Sequence, residues 1–199
     1  MAGKKQYGMV VDTRKCVGCM SCTITCKMEN KVPFDGFRSW VNLRERGSFP
    51  QVKRHFLPRL CNHCENAPCV QVCPVQATYR RDDGIIVIDE GRCIGCGYCV
   101  TACPYNARYL NPQTKVADKC TFCQHRLEQD LEPACVHNCM GKARVFGDLN
   151  DPGSAVSKLL NSTGVQTLQP ELGTEPQVYY ISADLNNSAV KGVKVSGAQ

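Results

Sequence analysis

The chain has 199 residues, 43% of them hydrophobic, with a formal charge of +6 and sixteen cysteines. That length suits one large or two small domains at ~100–200 residues each, and no uninterrupted apolar run is long enough to cross a bilayer. The start, Met1-Ala2-Gly3-Lys4-Lys5-Gln6-Tyr7, lacks an apolar stretch and a twin arginine, so the expectation is a chain with neither a span nor an export signal of its own.

Taken in order, Val10-Val11-Asp12 reads as a strand leading into a first cysteine group, Cys16, Cys19, Cys22 and Cys26. Residues 27–60 carry the single tryptophan, Trp40, with Arg38, Arg44 and Arg46, and read as a docking loop in which Trp40 packs within the chain or against a partner. The second group is Cys61, Cys64, Cys69 and Cys73. Beyond it, Ala77 to Arg81 and Ile85 to Asp89 flank Asp82-Asp83-Gly84, a tight-hairpin signal, and Val87-Ile88-Asp89 leads into the third group, Cys93, Cys96, Cys99 and Cys103. Asn111-Pro112-Gln113-Thr114 marks a turn before the fourth, Cys120, Cys123, Cys135 and Cys139. Inside that group, Gln124 to Ala134 has helix formers and Pro133, and reads as an amphipathic turn touching a partner or as a solvated excursion. After Gly147 the character changes: Asp151-Pro152 offers helix-start chemistry, Val156, Leu159 and Leu160 follow at helical spacing, and Gln177 to Ile181 reads as a strand. Residues 186–199 are small and polar, without periodicity.

The spacings carry the chemistry. Group three, C-x2-C-x2-C-x3-C-P, is the bacterial ferredoxin run, whose fourth cysteine ligates the other cluster of a pair. Group one repeats it, group two stretches one gap to four residues, and group four stretches it to eleven. Disulfide scaffolds are small and secreted, and structural zinc sites need paired knuckles that the tight third cysteine does not provide. Four complete groups therefore predict four 4Fe-4S clusters and leave no iron open for chemistry, so the chain is not expected to be an enzyme by itself. Each oxidised cube with its thiolates brings about −2, which would turn the formal +6 into about −2 and removes the case for nucleic acid.

An internal repeat surrounds these groups. A basic residue abuts the first cysteine at Lys15, Arg92 and Lys119. Alanine stands four residues after the last cysteine at Ala77, Ala107 and Ala143, with Tyr79, Tyr109 and Val145 two residues further on. Each unit reads as strand, cluster loop with a short helix, and strand, giving a loop-rich α+β fold of two ferredoxin-like modules. Cys73-Pro74 and Cys103-Pro104 have the ferredoxin proline, whereas Cys26-Lys27 and Cys139-Met140 lack it. That split predicts an inner module, residues 61–103, nested within an outer one, residues 1–60 with 104–147, followed by a cysteine-free extension, 148–199. The cross-over rule then assigns Cys16, Cys19, Cys22 and Cys139 to cluster 1, and Cys61, Cys64, Cys69 and Cys103 to cluster 2. Cluster 3 takes Cys93, Cys96, Cys99 and Cys73, and cluster 4 takes Cys120, Cys123, Cys135 and Cys26; sequential pairing, one with two and three with four, stays open. Val17-Gly18, Ile94-Gly95 and Gly97-Tyr98 are candidates for backbone donation to sulfur or plain turn positions. His63, His125 and His137 are expected to be hydrogen-bonded structural histidines.

Four groups in this order, with Cys61-Asn62-His63-Cys64-Glu65-Asn66-Ala67-Pro68-Cys69, Cys103-Pro104-Tyr105-Asn106-Ala107-Arg108 and Asp118-Lys119-Cys120-Thr121-Phe122-Cys123, resemble the iron-sulfur electron-transfer subunit of the molybdopterin oxidoreductases, over roughly Tyr7 to Ile181. Leu57 to Cys64, the short link from Leu110 to Asp118, and Leu172 to Pro176 look most like subunits serving sulfur-compound reductases, and Met140 in place of proline looks like the tetrathionate branch. The resemblance also implies the nested pairing. It implies a chain that relays single electrons between a membrane quinol-oxidising subunit and a catalytic subunit, which holds the molybdopterin guanine dinucleotide and reduces tetrathionate, polysulfide or thiosulfate. Cluster 1 would lie towards the molybdenum. It further implies placement on the outer face of the cytoplasmic membrane by co-export with a twin-arginine partner, a cytoplasmic location remaining open. A free-standing soluble polyferredoxin serving other dehydrogenases is the alternative.

Overall fold

A computed structural model describes residues 4–181; the polar segment 186–199 lies outside the described residues. Strand β1 (Tyr7–Asp12) is the centre of a three-stranded sheet ordered β8-β1-β9, with β8 (Arg144–Asp148) antiparallel and β9 (Val178–Ile181) parallel to it. Met9, Val10 and Val11 are all fully buried. Alternation explains how: Met9 and Val11 face the main core, while Val10 faces a second cluster with Val156 and Ile181. Within the segment expected as an extension, Val178–Ile181 supplies this sheet's second edge.

Helix α6 (Ala155–Ser162) covers that second face. Its start falls after the expected Asp151-Pro152. Asp151 instead closes a turn by accepting from Gly153 N at 2.8 Å, and the cap is Ser154, whose Oγ accepts from Ser157 N at 3.2 Å. Ser154→Ala should cost the folded state at least about 1 kcal/mol in a denaturation experiment on the cluster-loaded chain; an unchanged midpoint would contradict the cap.

Two small hairpins match expectation. β4 (Thr78–Arg80) pairs with β5 (Ile86–Ile88), and β6 (Arg108–Leu110) with β7 (Ala117–Lys119). Asp83 Oδ1 accepts from Ile85 N in the first turn, and Asn111 Oδ1 accepts from Gln113 N in the second. Residues 27–60 are not a loop, contrary to expectation. Helix α1 (Ser21–Glu29) runs into them, and β2 (Ser39–Arg46) and β3 (Lys53–Leu60) form an eight-residue antiparallel hairpin. The physical reason is burial at its base, where Ser39, Trp40, Asn42, Arg59 and Leu60 are all inside. Trp40 packs internally, beneath the Arg59 guanidinium, 5.5 Å from its ring centre. Lys27 Nζ then pins the intervening turn by donating to the carbonyls of Pro33, Phe34 and Gly36.

The short helices α2 (Pro68–Gln71), α3 (Tyr98–Thr101), α4 (Gln124–Leu127) and α5 (Ala134–His137) each sit inside a cysteine group. Absence of proline permits, but does not by itself cause, the longer helix of group one. With no proline there, Lys27 keeps its N–H and α1 continues three residues past Cys26, whereas α2 and α3 stop ahead of Cys73-Pro74 and Cys103-Pro104. Group four also lacks proline, yet α5 stops before Cys139, so the two proline-free groups do not share a backbone form.

Candidate functional site

Cys22 and Cys26 lie one helical turn apart on α1 and reach different cavities. One cavity is lined by Cys16, Cys19, Cys22 and Cys139, the other by Cys26, Cys120, Cys123 and Cys135. Farther along, Cys61 stands near enough to Cys64, Cys69 and Cys103 that, after burial, its sulfur helps push each of those three thiols up. Helix α2, which ends two residues ahead of Cys73, packs on α3, which carries Cys99 of the third group. No three His, Cys, Asp or Glu side chains among the described residues are arranged to hold a single metal ion, which would draw sulfurs to ~2.3 Å of it in the case of zinc. Four sulfurs lining a cavity suit a larger group.

The backbone repeats with the cysteines. The second residue after each first cysteine is left-handed in all four groups: Gly18 (φ 70°), His63 (φ 45°), Gly95 (φ 68°) and Phe122 (φ 51°). Successive N–H groups around such a turn form an anion-holding concavity, and the Gly18 N–H bonds the Cys16 sulfur. Glycine adopts this conformation freely. At Gly95 it is also required by space, since a Cβ would stand 2.3 Å from the Lys115 carbonyl oxygen.

The alanine repeat has a matching cause. Ala143 N donates to Cys139 Sγ at 3.2 Å, Ala77 N to the Cys73 sulfur, and Ala107 N to the Cys103 sulfur. Burial pushes Cys73 up, but the N–H groups of Thr78, Ala77 and Val75 leave it below its usual range. Group one has Asn30 where the others have alanine. There the side chain takes over, with Nδ2 3.6 Å from Cys26 Sγ and 3.7 Å from Cys123 Sγ.

Electrostatics then test whether the residues fit a cluster. Burial and neighbouring sulfurs push Cys26 and Cys64 up to about 12, and Cys69 to about 11. Thiolates crowded like this ionise only with a bound positive centre. Around Cys61, Cys64 and Cys103 there are also buried donors without a partner among the described residues: Arg59 Nε, the Asn62 amide, His63 Nε2, and Nε and Nη2 of Arg108. An iron-sulfur cube offers both the charge and the sulfur acceptors, so the donor set fits.

The histidines divide. His63 is fully buried, accepts from Ile86 N through Nδ1 at 3.0 Å, and stacks on Phe122 at 3.8 Å. Burial first, then Lys119, Arg108 and Arg80, hold it well below the usual histidine range, so it is neutral. His125 pairs with Glu29 at 2.8 Å, and Arg126 joins it at 3.2 Å. The Gln124–Ala134 gap is therefore tied to α1. His137 departs from expectation: it is exposed, and its ring has no partner among the described residues, because the exposed face of α5 offers none.

Asn30 and Arg144 are not among the residues that the cysteine spacings single out. Arg144 lies between Ala143 and Val145 of the repeat, and its register, five residues after a last cysteine, is shared with Arg108.

Comparison with known proteins decides the family. Models of a 4Fe-4S dicluster domain match residues 52–149 and 15–77. The chain is 52% identical over 186 residues to the B subunit of tetrathionate reductase from Salmonella typhimurium, covering 91% of this chain and 74% of that protein. The chain thus belongs to the iron-sulfur electron-transfer subunits of the molybdopterin oxidoreductases. The B subunit of polysulfide reductase from Wolinella succinogenes is 42% identical, covering 89% of this chain and 94% of its own. The B subunit of selenate reductase from Mesobacillus selenatarsenatis is also 42% identical, covering 89% of this chain and 72% of its own. This iron-sulfur subunit serves electron transfer within a reductase complex and is not its catalytic subunit.

Proposed function

We propose that the sixteen cysteines hold four 4Fe-4S cubes in the nested sets, and that residues 61–103 form the inner module and residues 1–60 with 104–147 the outer one. The observation that carries the reading is the shared lining of two cavities by the first and fourth groups. Pairing of β1, ahead of group one, with β8, behind group four, supports the same closure. Bound cubes would supply one-electron relay sites. The protein's own part is to orient sulfurs, to hydrogen-bond them through Gly18, Asn30, Ala77, Ala107 and Ala143, and to surround them with buried cations.

The electrons pass between a membrane quinol-oxidising subunit and a catalytic subunit holding molybdopterin guanine dinucleotide. The names of the relatives favour tetrathionate, polysulfide or a related compound as the substrate class. No helix among the described residues is long and apolar enough to cross a membrane, so attachment is assigned to partners, on the outer face after co-export. Purification from the native membrane should bring both partner subunits with the chain, and iron and acid-labile sulfide should each reach about sixteen per chain. Values near eight, or isolation as a lone soluble carrier, would overturn this function.

A further inference from the structure

Arg144, the first residue of β8, is buried and reaches two cysteine groups at once. Its Nη2 lies 3.4 Å from Cys22 Sγ and donates to Ser39 Oγ at 2.9 Å, while Nη1 lies 3.5 Å from Cys135 Sγ. Arg108, the first residue of β6, has the same register and is also buried. It donates through Nη1 to Thr78 Oγ1 at 3.1 Å and lies beside Cys61 and Cys69 of group two and Cys99 of group three. A third basic side chain, Lys119, occupies the remaining juncture, beside Cys61 and Cys69 on one side and Cys120 on the other. Its Nζ is held by the carbonyls of Ile86 and Cys120.

These cysteines are never the last of their groups. Cys22 and Cys135 therefore belong to different cubes under either the nested or the sequential pairing, and so do Cys61 and Cys99. Arginine keeps its charge in proteins, and a buried charge is weakly screened. We propose that Arg144 and Arg108 are potential-setting bridges, each a fixed positive charge shared by two neighbouring cubes that favours the reduced form of both and weakens the repulsion between them. The inference rests on the four-cube reading. A residue that merely filled space between strands would not place its nitrogens beside sulfurs of two groups, nor recur at the same register.

The test is an EPR-monitored potentiometric titration of the complete complex carrying R144Q, R144K, R108Q or R108K. In R144Q two of the four cubes should become harder to reduce, each by at least tenfold in the one-electron equilibrium, or ~59 mV. R108Q should move the other two. Both lysine variants should recover most of the change. Unmoved potentials at full iron overturn the inference alone, as do equal shifts in all four cubes, or lysine variants as shifted as the glutamine ones. Loss of iron from every variant marks the arginines as structural and also overturns it. A wild-type chain with fewer than four cubes defeats the four-cube reading and this inference with it.

Discussion

Cys139→Ala should abolish the cluster in the cavity lined by Cys16, Cys19 and Cys22, although those residues are more than a hundred positions away in sequence, and should leave the cavity of Cys120, Cys123 and Cys135 loaded. Iron should fall from about sixteen to about twelve per chain. The reasoning is geometric. Cys139 lines the first cavity and not the second, and its sulfur is already oriented by Ala143 N at 3.2 Å. Electron delivery through the complex should drop by more than the 10–100-fold that loss of an outer-shell partner costs at a metal site. Cys26→Ala is the complementary change and should empty the other cavity, whose lining it joins. Iron analysis with EPR of each variant separates the two. Loss of the Cys120 cavity's signal in Cys139→Ala would refute the nested assignment and favour ligation within group four.

The second large effect is expected at Arg38. Its guanidinium is bound to Asp118, with Nη2 2.7 Å from Oδ1 and Nε 3.1 Å from Oδ2, and both side chains are nearly buried. Asp118 also accepts from the Tyr109 hydroxyl. Arg38 Nη1 donates to Asn30 Oδ1 at 3.0 Å, which turns the Asn30 amide towards the sulfurs of Cys26 and Cys123. Arg38→Met leaves a buried carboxylate without its partner, a change worth about 3–5 kcal/mol in comparable pairs. It also frees the amide that serves two sulfurs. Anaerobic denaturation of the loaded chain should register the stability loss, and the double variant with Asp118→Asn should recover much of it, because no charge is then stranded. A single variant as stable as the parent would show that the pair adds nothing.

The cysteine pattern was legible because its signal is local. In groups one and three the cysteines at i, i+3 and i+6 sit in a single loop, so their spacing is read without any tertiary arrangement, and the proline after Cys73 and Cys103 is as readable as the cysteines. The Asp82-Asp83-Gly84 and Asn111-Pro112 turns were legible for the same reason, since an aspartate or asparagine caps a turn two residues away. The β2–β3 hairpin was not, because its stability comes from burying Trp40 and Leu60 against the rest of the chain, and its tip, with exposed Phe49, carries no tight-turn signal.

Sequence by itself determined that this chain is an iron-sulfur protein, which residues form each group, and where the short strands and turns lie, because each of these depends on neighbours a few residues apart. Tertiary structure alone decided what stands between the groups. Arg144 meets a sulfur 122 residues away, and Asn30 one 93 residues away. An arginine or an asparagine acquires such a role only when folding removes it from water and brings distant thiols within reach.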